Sequence, residues 1–260
     1  MSDDSLLGRF VWYELLTSDP EAATSFYTEL IGWGTAQWEG GSEPYTMWTN
    51  GETPIGGVIT LPEEAKQAGG PPHWLAYVGT SDVEATVSQV KELGGKVLVA
   101  PTQIPTVGNF AVLSDPQEAA FAVFNPTEPP PGHEGPAQAG EFSWHELATT
   151  DHAAAFEFYH AIFGWEKTES LDMGPMGIYQ MYGRAGLTLG GMFNQSAETP
   201  GPPRWLLYTR VKDVDQTTEI VKNLGGTVLN GPMEVPGGDR ITQCMDPQGA
   251  TFAIHSTDGQ

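Results

Sequence analysis

Phe10-Val-Trp-Tyr-Glu-Leu-Leu-Thr-Ser-Asp-Pro20, followed by Phe26-Tyr27 and Gly32-Trp33, returns in the same order as Phe142-Ser-Trp-His-Glu-Leu-Ala-Thr-Thr-Asp-His152, Phe158-Tyr159 and Gly164-Trp165. In each copy the aromatic and apolar residues alternate over a short run, which predicts a strand. The Asp that follows can accept a hydrogen bond from a first-turn N–H, so it predicts a helix N-cap. The segment carrying Phe-Tyr then reads as an amphipathic helix stopped by Gly.

The correspondence runs on through the chain. Ile55-Gly-Gly-Val58 answers Leu189-Gly-Gly-Met192, and Pro71-Pro-His-Trp-Leu-Ala-Tyr-Val78 answers Pro202-Pro-Arg-Trp-Leu-Leu-Tyr-Thr209. Asp82-Val83 opens a second helix that ends at Leu93-Gly-Gly95, as Asp213-Val214 does before Leu224-Gly-Gly226. Ser114-Asp-Pro-Gln-Glu-Ala-Ala-Phe121 and Met245-Asp-Pro-Gln-Gly-Ala-Thr-Phe252 each read as a turn between two short strands. Each half is therefore two β-α-β-β-β modules, and each is long enough to bury a core. Residues 1–126 form the first domain and 141–260 the second. The Pro- and Gly-rich stretch 127–140 is an extended linker, because Pro fixes φ and removes donors; His133 within it is expected to be solvated.

The formal net charge is −22, yet only 17% of the 260 residues are charged, so the imbalance is a shortage of Lys and Arg, 11 together. Such a surface disfavours nucleic acid and anionic membranes as partners. One cysteine, Cys244, excludes an intramolecular disulfide and any multi-cysteine zinc site, and its place at a strand end predicts a small core residue. The N-terminal residues carry no basic-then-apolar leader, and no run of about 18 apolar residues occurs. The expected location is the cytoplasm. His-Glu at 145–146 does not continue to His-Glu-x-x-His, and Gly-x-Gly-x-x-Gly, Gly-x-x-x-x-Gly-Lys and Gly-x-Ser-x-Gly are all absent.

The set Trp-x-Glu-Leu-x-Thr-x-Asp, Phe-Tyr, Gly-Trp, Pro-Pro-x-Trp-x-x-Tyr, Leu-Gly-Gly and Asp-Pro-Gln-x-Ala-x-Phe resembles the vicinal oxygen chelate superfamily of glyoxalase, bleomycin-resistance and extradiol-dioxygenase proteins. It is most similar to the tandem, two-domain glyoxalase-like members, over residues of about 9–125 and 141–257. The resemblance implies an α+β fold: two tandem glyoxalase-like domains, each a curved eight-stranded mixed sheet forming a cup. It also implies association, so a homodimer is a possible state. In the metalloenzyme members a divalent metal is held by His, Glu or Gln from the strands. The corresponding positions here are Trp12, Gly57, Leu75 and Ala122 in the first half, and Trp144, Gly191, Leu206 and Ala253 in the second. None is a metal donor.

Strand alternation from those positions places Trp12, Glu14, His73 and Tyr77 in the first cup, and Trp144, Glu146, Arg204 and Tyr208 in the second. Aromatic walls with one carboxylate and one basic group suit a small hydrophobic or aromatic metabolite. Trp12, Tyr77, Trp144, Arg204 and Tyr208 are the expected ligand contacts; Glu14, His73 and Glu146 are the candidate catalytic groups. The leading expectation is a small-molecule-binding protein without a metal or other cofactor. The alternatives are a metal-dependent lyase, isomerase or dioxygenase using displaced ligands such as Glu14, His73 or Glu146, and metal-free acid/base chemistry by Glu14 and His73.

Overall fold

The computed structural model describes residues 6–41, 44–67, 69–128, 133, 135–196 and 201–257. The first half comprises β1 (Phe10–Thr17), α1 (Pro20–Ile31), β2 (Gly34–Trp38), β3 (Tyr45–Asn50), β4 (Thr53–Thr60), the short α2 (Glu63–Gln67), β5 (His73–Gly79), α3 (Val83–Glu92), β6 (Lys96–Ile104), β7 (Gly108–Ser114) and β8 (Ala120–Pro126). The second comprises β9 (Phe142–Thr149), α4 (His152–Phe163), β10 (Glu166–Asp172), β11 (Ile178–Arg184), β12 (Leu187–Asn194), β13 (Arg204–Arg210), α5 (Val214–Asn223), β14 (Thr227–Glu234), β15 (Asp239–Met245) and β16 (Thr251–Thr257). Each half is one mixed eight-stranded sheet, ordered β2-β3-β4-β1-β5-β8-β7-β6 and β10-β11-β12-β9-β13-β16-β15-β14. Within the linker, residues 129–132 and 134 lie outside the described residues. His133 is exposed, and its Nε2 lies 3.1 Å from a Glu141 carboxylate oxygen. Among the described residues no helix is long and apolar enough to cross a membrane.

The four long helices begin as their sequences dictate. Asp19, Asp82, Asp151 and Asp213 each accept a first-turn backbone N–H, from Ala22, Ala85, Ala153 with Ala154, and Gln216. Gly32 and Gly164 close α1 and α4 with left-handed backbone at φ of 86° and 68°, a conformation costly for any residue with a Cβ.

The compact units do not follow the halves. One unit is residues 1–12, 75–130 and 144–205; the other is 13–74, 131–143 and 206–260. Each thus joins the first module of one half to the second module of the other. The Phe-Tyr and Asp-Pro-Gln motifs are the lock. In unit one, Tyr159 on α4 donates to Asp115 Oδ2 at 3.1 Å and receives the Trp205 indole N–H at 3.3 Å. Phe121, Trp165 and Trp205 ring this tyrosine with centroids 5.4–5.5 Å away. Gln117 Oε1 accepts from Thr149, Thr150 and the Asp151 N–H, tying the turn after β7 to the start of α4.

Unit two repeats the lock with partners exchanged. Tyr27 on α1 donates to Asp246 Oδ2 at 3.1 Å, and Trp74 donates to the Tyr27 oxygen at 3.0 Å. Trp33 donates to Gly140 O at 2.7 Å. Tyr27, Trp33, Tyr159 and Trp165 are at most 1% exposed. Burying each ring stabilises its unit by about 1.5–3 kcal/mol relative to an exposed one. Burial pushes the tyrosine hydroxyls up in pKa, with the facing aspartates adding to the shift, so both remain donors. It pushes Asp115 and Asp246 up as well, against the backbone and tyrosine donors that hold their charge. Cys244 is a buried core residue whose thiol is pushed up to about 12, which leaves it unreactive.

Candidate functional site

In unit one, alternation along β9 puts Trp144 and Glu146 on one face. The Trp144 indole N–H donates to Tyr179 Oη at 2.8 Å, and Tyr179 Oη donates to Glu146 Oε2 at 2.9 Å. Tyr179 stands on β11 and stacks on Phe193, ring centroids 5.9 Å apart. Its ring lies directly over Gly191 on β12, where a Cβ would overlap the ring carbons. In unit two, Tyr45 on β3 donates to Glu14 Oε1 at 2.9 Å, with Glu14 only 7% exposed. A Cβ at Gly57 would overlap Tyr45 Oη. Both halves have built the same device: a carboxylate held by a tyrosine that a bare backbone admits.

Of the residues singled out from the sequence, Glu14 and Glu146 each meet a tyrosine, Tyr45 and Tyr179, that strand alternation did not single out. A signal was present, since Tyr45 precedes Gly57 by the same number of residues as Tyr179 precedes Gly191.

The other expected site residues have local partners. His73 Nδ1 lies 2.8 Å from Pro71 O, and burial lowers its pKa, so the neutral ring donates to that carbonyl. Arg204 Nη1 donates to Pro202 O at 3.4 Å. Tyr208 Oη accepts from Gln243 at 2.9 Å. Tyr77 lies among Phe110 and Phe124, 6.1 and 6.4 Å away. Trp12 is half-buried on β1.

His145, on β9 between Trp144 and Glu146, is buried, stacked on Phe10 at 3.6 Å, with Nδ1 3.0 Å from Leu189 O. Burial lowers its pKa to about 4, the Leu189 carbonyl opposing, so at neutral pH it is an uncharged structural donor. The stability it lends is complete above the usual histidine value near 6.5 and is lost as pH falls toward 4, by up to about 3 kcal/mol. Asp115 and Asp246, raised in the fold, work in the opposite sense below neutrality. Thermal melting from pH 8 to 4 should therefore fall more steeply for the native chain than for His145→Phe, in which both aspartates are retained. Parallel curves would contradict this.

A divalent metal tests poorly against these residues. Among the described residues no three His, Cys, Asp or Glu side chains converge. The Tyr45 and Tyr179 rings occupy the space that ligand side chains at Gly57 and Gly191 would need. The donor set does not fit the ion.

The paired sheets and the modular repeat agree with what comparison shows: residues 9–123 and 141–254 both match the glyoxalase/bleomycin resistance protein/dioxygenase superfamily, and the chain belongs to it. Among curated relatives, the anthracycline biosynthesis protein DnrV of Streptomyces peucetius is 31% identical over 95% of this chain and 92% of that protein. DauV of Streptomyces sp. strain C5, also an anthracycline biosynthesis protein, is 30% identical over the same shares. Among solved structures, the 2,3-dioxygenase LapB of Pseudomonas sp. KL28 superposes with a TM-score of 0.68 at 11% identity, covering 96% of this chain and 93% of that one. The Mn(II)-bound glyoxalase of Novosphingobium aromaticivorans gives 0.60 at 16% identity, covering 96% and 82%. These structural likenesses speak for the fold.

Proposed function

We propose that the protein binds a small aromatic or hydrophobic metabolite at its tyrosine–carboxylate sites, without a resident metal. The observation that carries this reading is the twice-built arrangement of a glutamate held by a tyrosine packed over glycine. Aromatic faces from Trp144, Tyr179 and Phe193 give contact area, and a carboxylate orients a ligand hydroxyl by accepting a charge-assisted hydrogen bond from it. The full-length relatives from anthracycline biosynthesis support a hydroxylated polycyclic ligand. The same reading takes the chain as cytoplasmic and, in keeping with its family, self-associating. A second reading, a metal-dependent lyase, isomerase or dioxygenase using displaced ligands, draws on the superfamily's metalloenzymes.

Tryptophan fluorescence titration with hydroxyanthraquinones, catechols and simple phenols, with and without EDTA, separates the two, together with metal analysis of the purified protein. Saturable quenching by at least one polycyclic phenol, unchanged by EDTA, is expected. Glu146→Gln should weaken that binding about tenfold or more, the worth of one hydrogen bond to a charged group. Stoichiometric metal whose removal abolishes binding would overturn the reading.

A further inference from the structure

Unit two contains a second polar arrangement, independent of the tyrosine–carboxylate sites. His255 on β16 has Nε2 3.0 Å from Asp239 Oδ2 and Nδ1 3.0 Å from Ser143 Oγ. Asp239 accepts from the Nε2–H tautomer, in which the Nδ1 lone pair faces the serine hydroxyl. The hydroxyl has one further acceptor, Tyr208 O at 3.2 Å. Ser143 is half-buried, the His255 side chain is 15% exposed and Asp239 is 38% exposed.

The internal repeat shows that the fold does not require this line. The same three positions in the first half are Val11, Phe124 and Gly108, and that half builds the same strands from them. Register confirms the equivalence: Gly108 pairs with Pro126 as Asp239 pairs with Thr257. Three apolar or side-chain-free positions in one copy are serine, histidine and aspartate in the other, joined end to end.

We propose that Ser143 is an activated nucleophile, with His255 as its general base and Asp239 as a positioning residue, forming an acyl-transfer site for small activated esters. The roles are those of a serine–histidine–aspartate triad with the two ring nitrogens interchanged. Ser143 Oγ bonds to the acyl carbon while its proton passes to His255 Nδ1. The bond from that carbon to the leaving alkoxide or phenoxide breaks, and the leaving oxygen takes the proton from Nδ1. Water attacks the acyl-serine by the same proton route in reverse, releasing the carboxylic acid and restoring the serine.

The probe is p-nitrophenyl acetate with the full-length protein, following nitrophenolate release and locating the acetyl group by peptide mass. Acetylation of Ser143 is expected. It should vanish in Ser143→Val and slow about 100-fold in His255→Phe, the usual worth of a general base. Both variants install residues that the first half already carries, so their melting temperatures should stay near that of the native chain. Asp239→Asn, which presents a donor to Nε2 and so disfavours the productive tautomer, should slow acylation about tenfold or more without changing KM, and Asp239→Glu should recover part of the rate. No acetyl group on Ser143 of the native protein would overturn the proposal, as would acetylation in His255→Phe at the native rate.

Discussion

Asp246→Ala should destabilise unit two by about 3–5 kcal/mol, because it removes the one acceptor shared by three donors. The Asp246 carboxylate is 2% exposed and serves three donors: the Gln248 and Ala250 N–H groups, each at 2.9 Å, and the Tyr27 hydroxyl. Truncation leaves all three without that acceptor, each worth about 1–3 kcal/mol when buried and unmet. Asp115→Ala should act alike in unit one, where the carboxylate holds the Gln117 and Ala119 N–H groups and Tyr159. The two sets of partners share no residue, so the costs should add. Tyr27→Phe, which removes the bond to Asp246 and the one from Trp74 and keeps the ring, should cost about 1–3 kcal/mol. Urea unfolding followed by tryptophan fluorescence measures all three. A loss below about 1 kcal/mol for Asp246→Ala would mean that the lock is not what holds the modules of unit two together.

Gly191→Leu should remove ligand binding at the unit-one site while leaving the protein folded. The glycine is needed for approach, not for backbone freedom, because Tyr179 occupies the place of any side chain there. A leucine forces the ring away, which removes the hydroxyl from both Trp144 and Glu146 at an overpacking cost of about 1–3 kcal/mol. Loss of the oriented carboxylate should weaken the best phenolic ligand of the titration by about 10–100-fold. Adding Tyr179→Ala should restore the melting temperature without restoring affinity, which separates crowding from recognition. Binding that survives Gly191→Leu intact would place the ligand elsewhere.

Much of this fold could be read from local chemistry. The four capping aspartates, the left-handed Gly32 and Gly164 and the Asp-Pro-Gln turns depend on residues within a few positions of one another, and each appears where its motif sits. What could not be read is which motif meets which. Tyr27 and Tyr159 occupy equivalent places in the repeat, as do Asp115 and Asp246, so the motifs alone allow two pairings; the long-range packing selects Tyr27 with Asp246 and Tyr159 with Asp115. The candidate site was half legible for a similar reason. Strand parity exposed Glu14 and Glu146, but their partners Tyr45 and Tyr179 stand two strands away in the sheet order, and parity along one strand does not report register across others.

The exchanged pairing also sets the order in which a growing chain can become protein. Tyr27 lies 219 residues before the aspartate that accepts its hydrogen bond. At about 5–20 residues per second, α1 leaves the ribosome tens of seconds before that partner exists. Unit one is complete once residue 205 has emerged, whereas unit two waits for the last strand, with its earliest helix already made. During that interval Phe26 and Tyr27 lack Phe252 and Asp246, against which they pack in the finished fold. Truncation near the C-terminus therefore strands the beginning of the chain rather than its end.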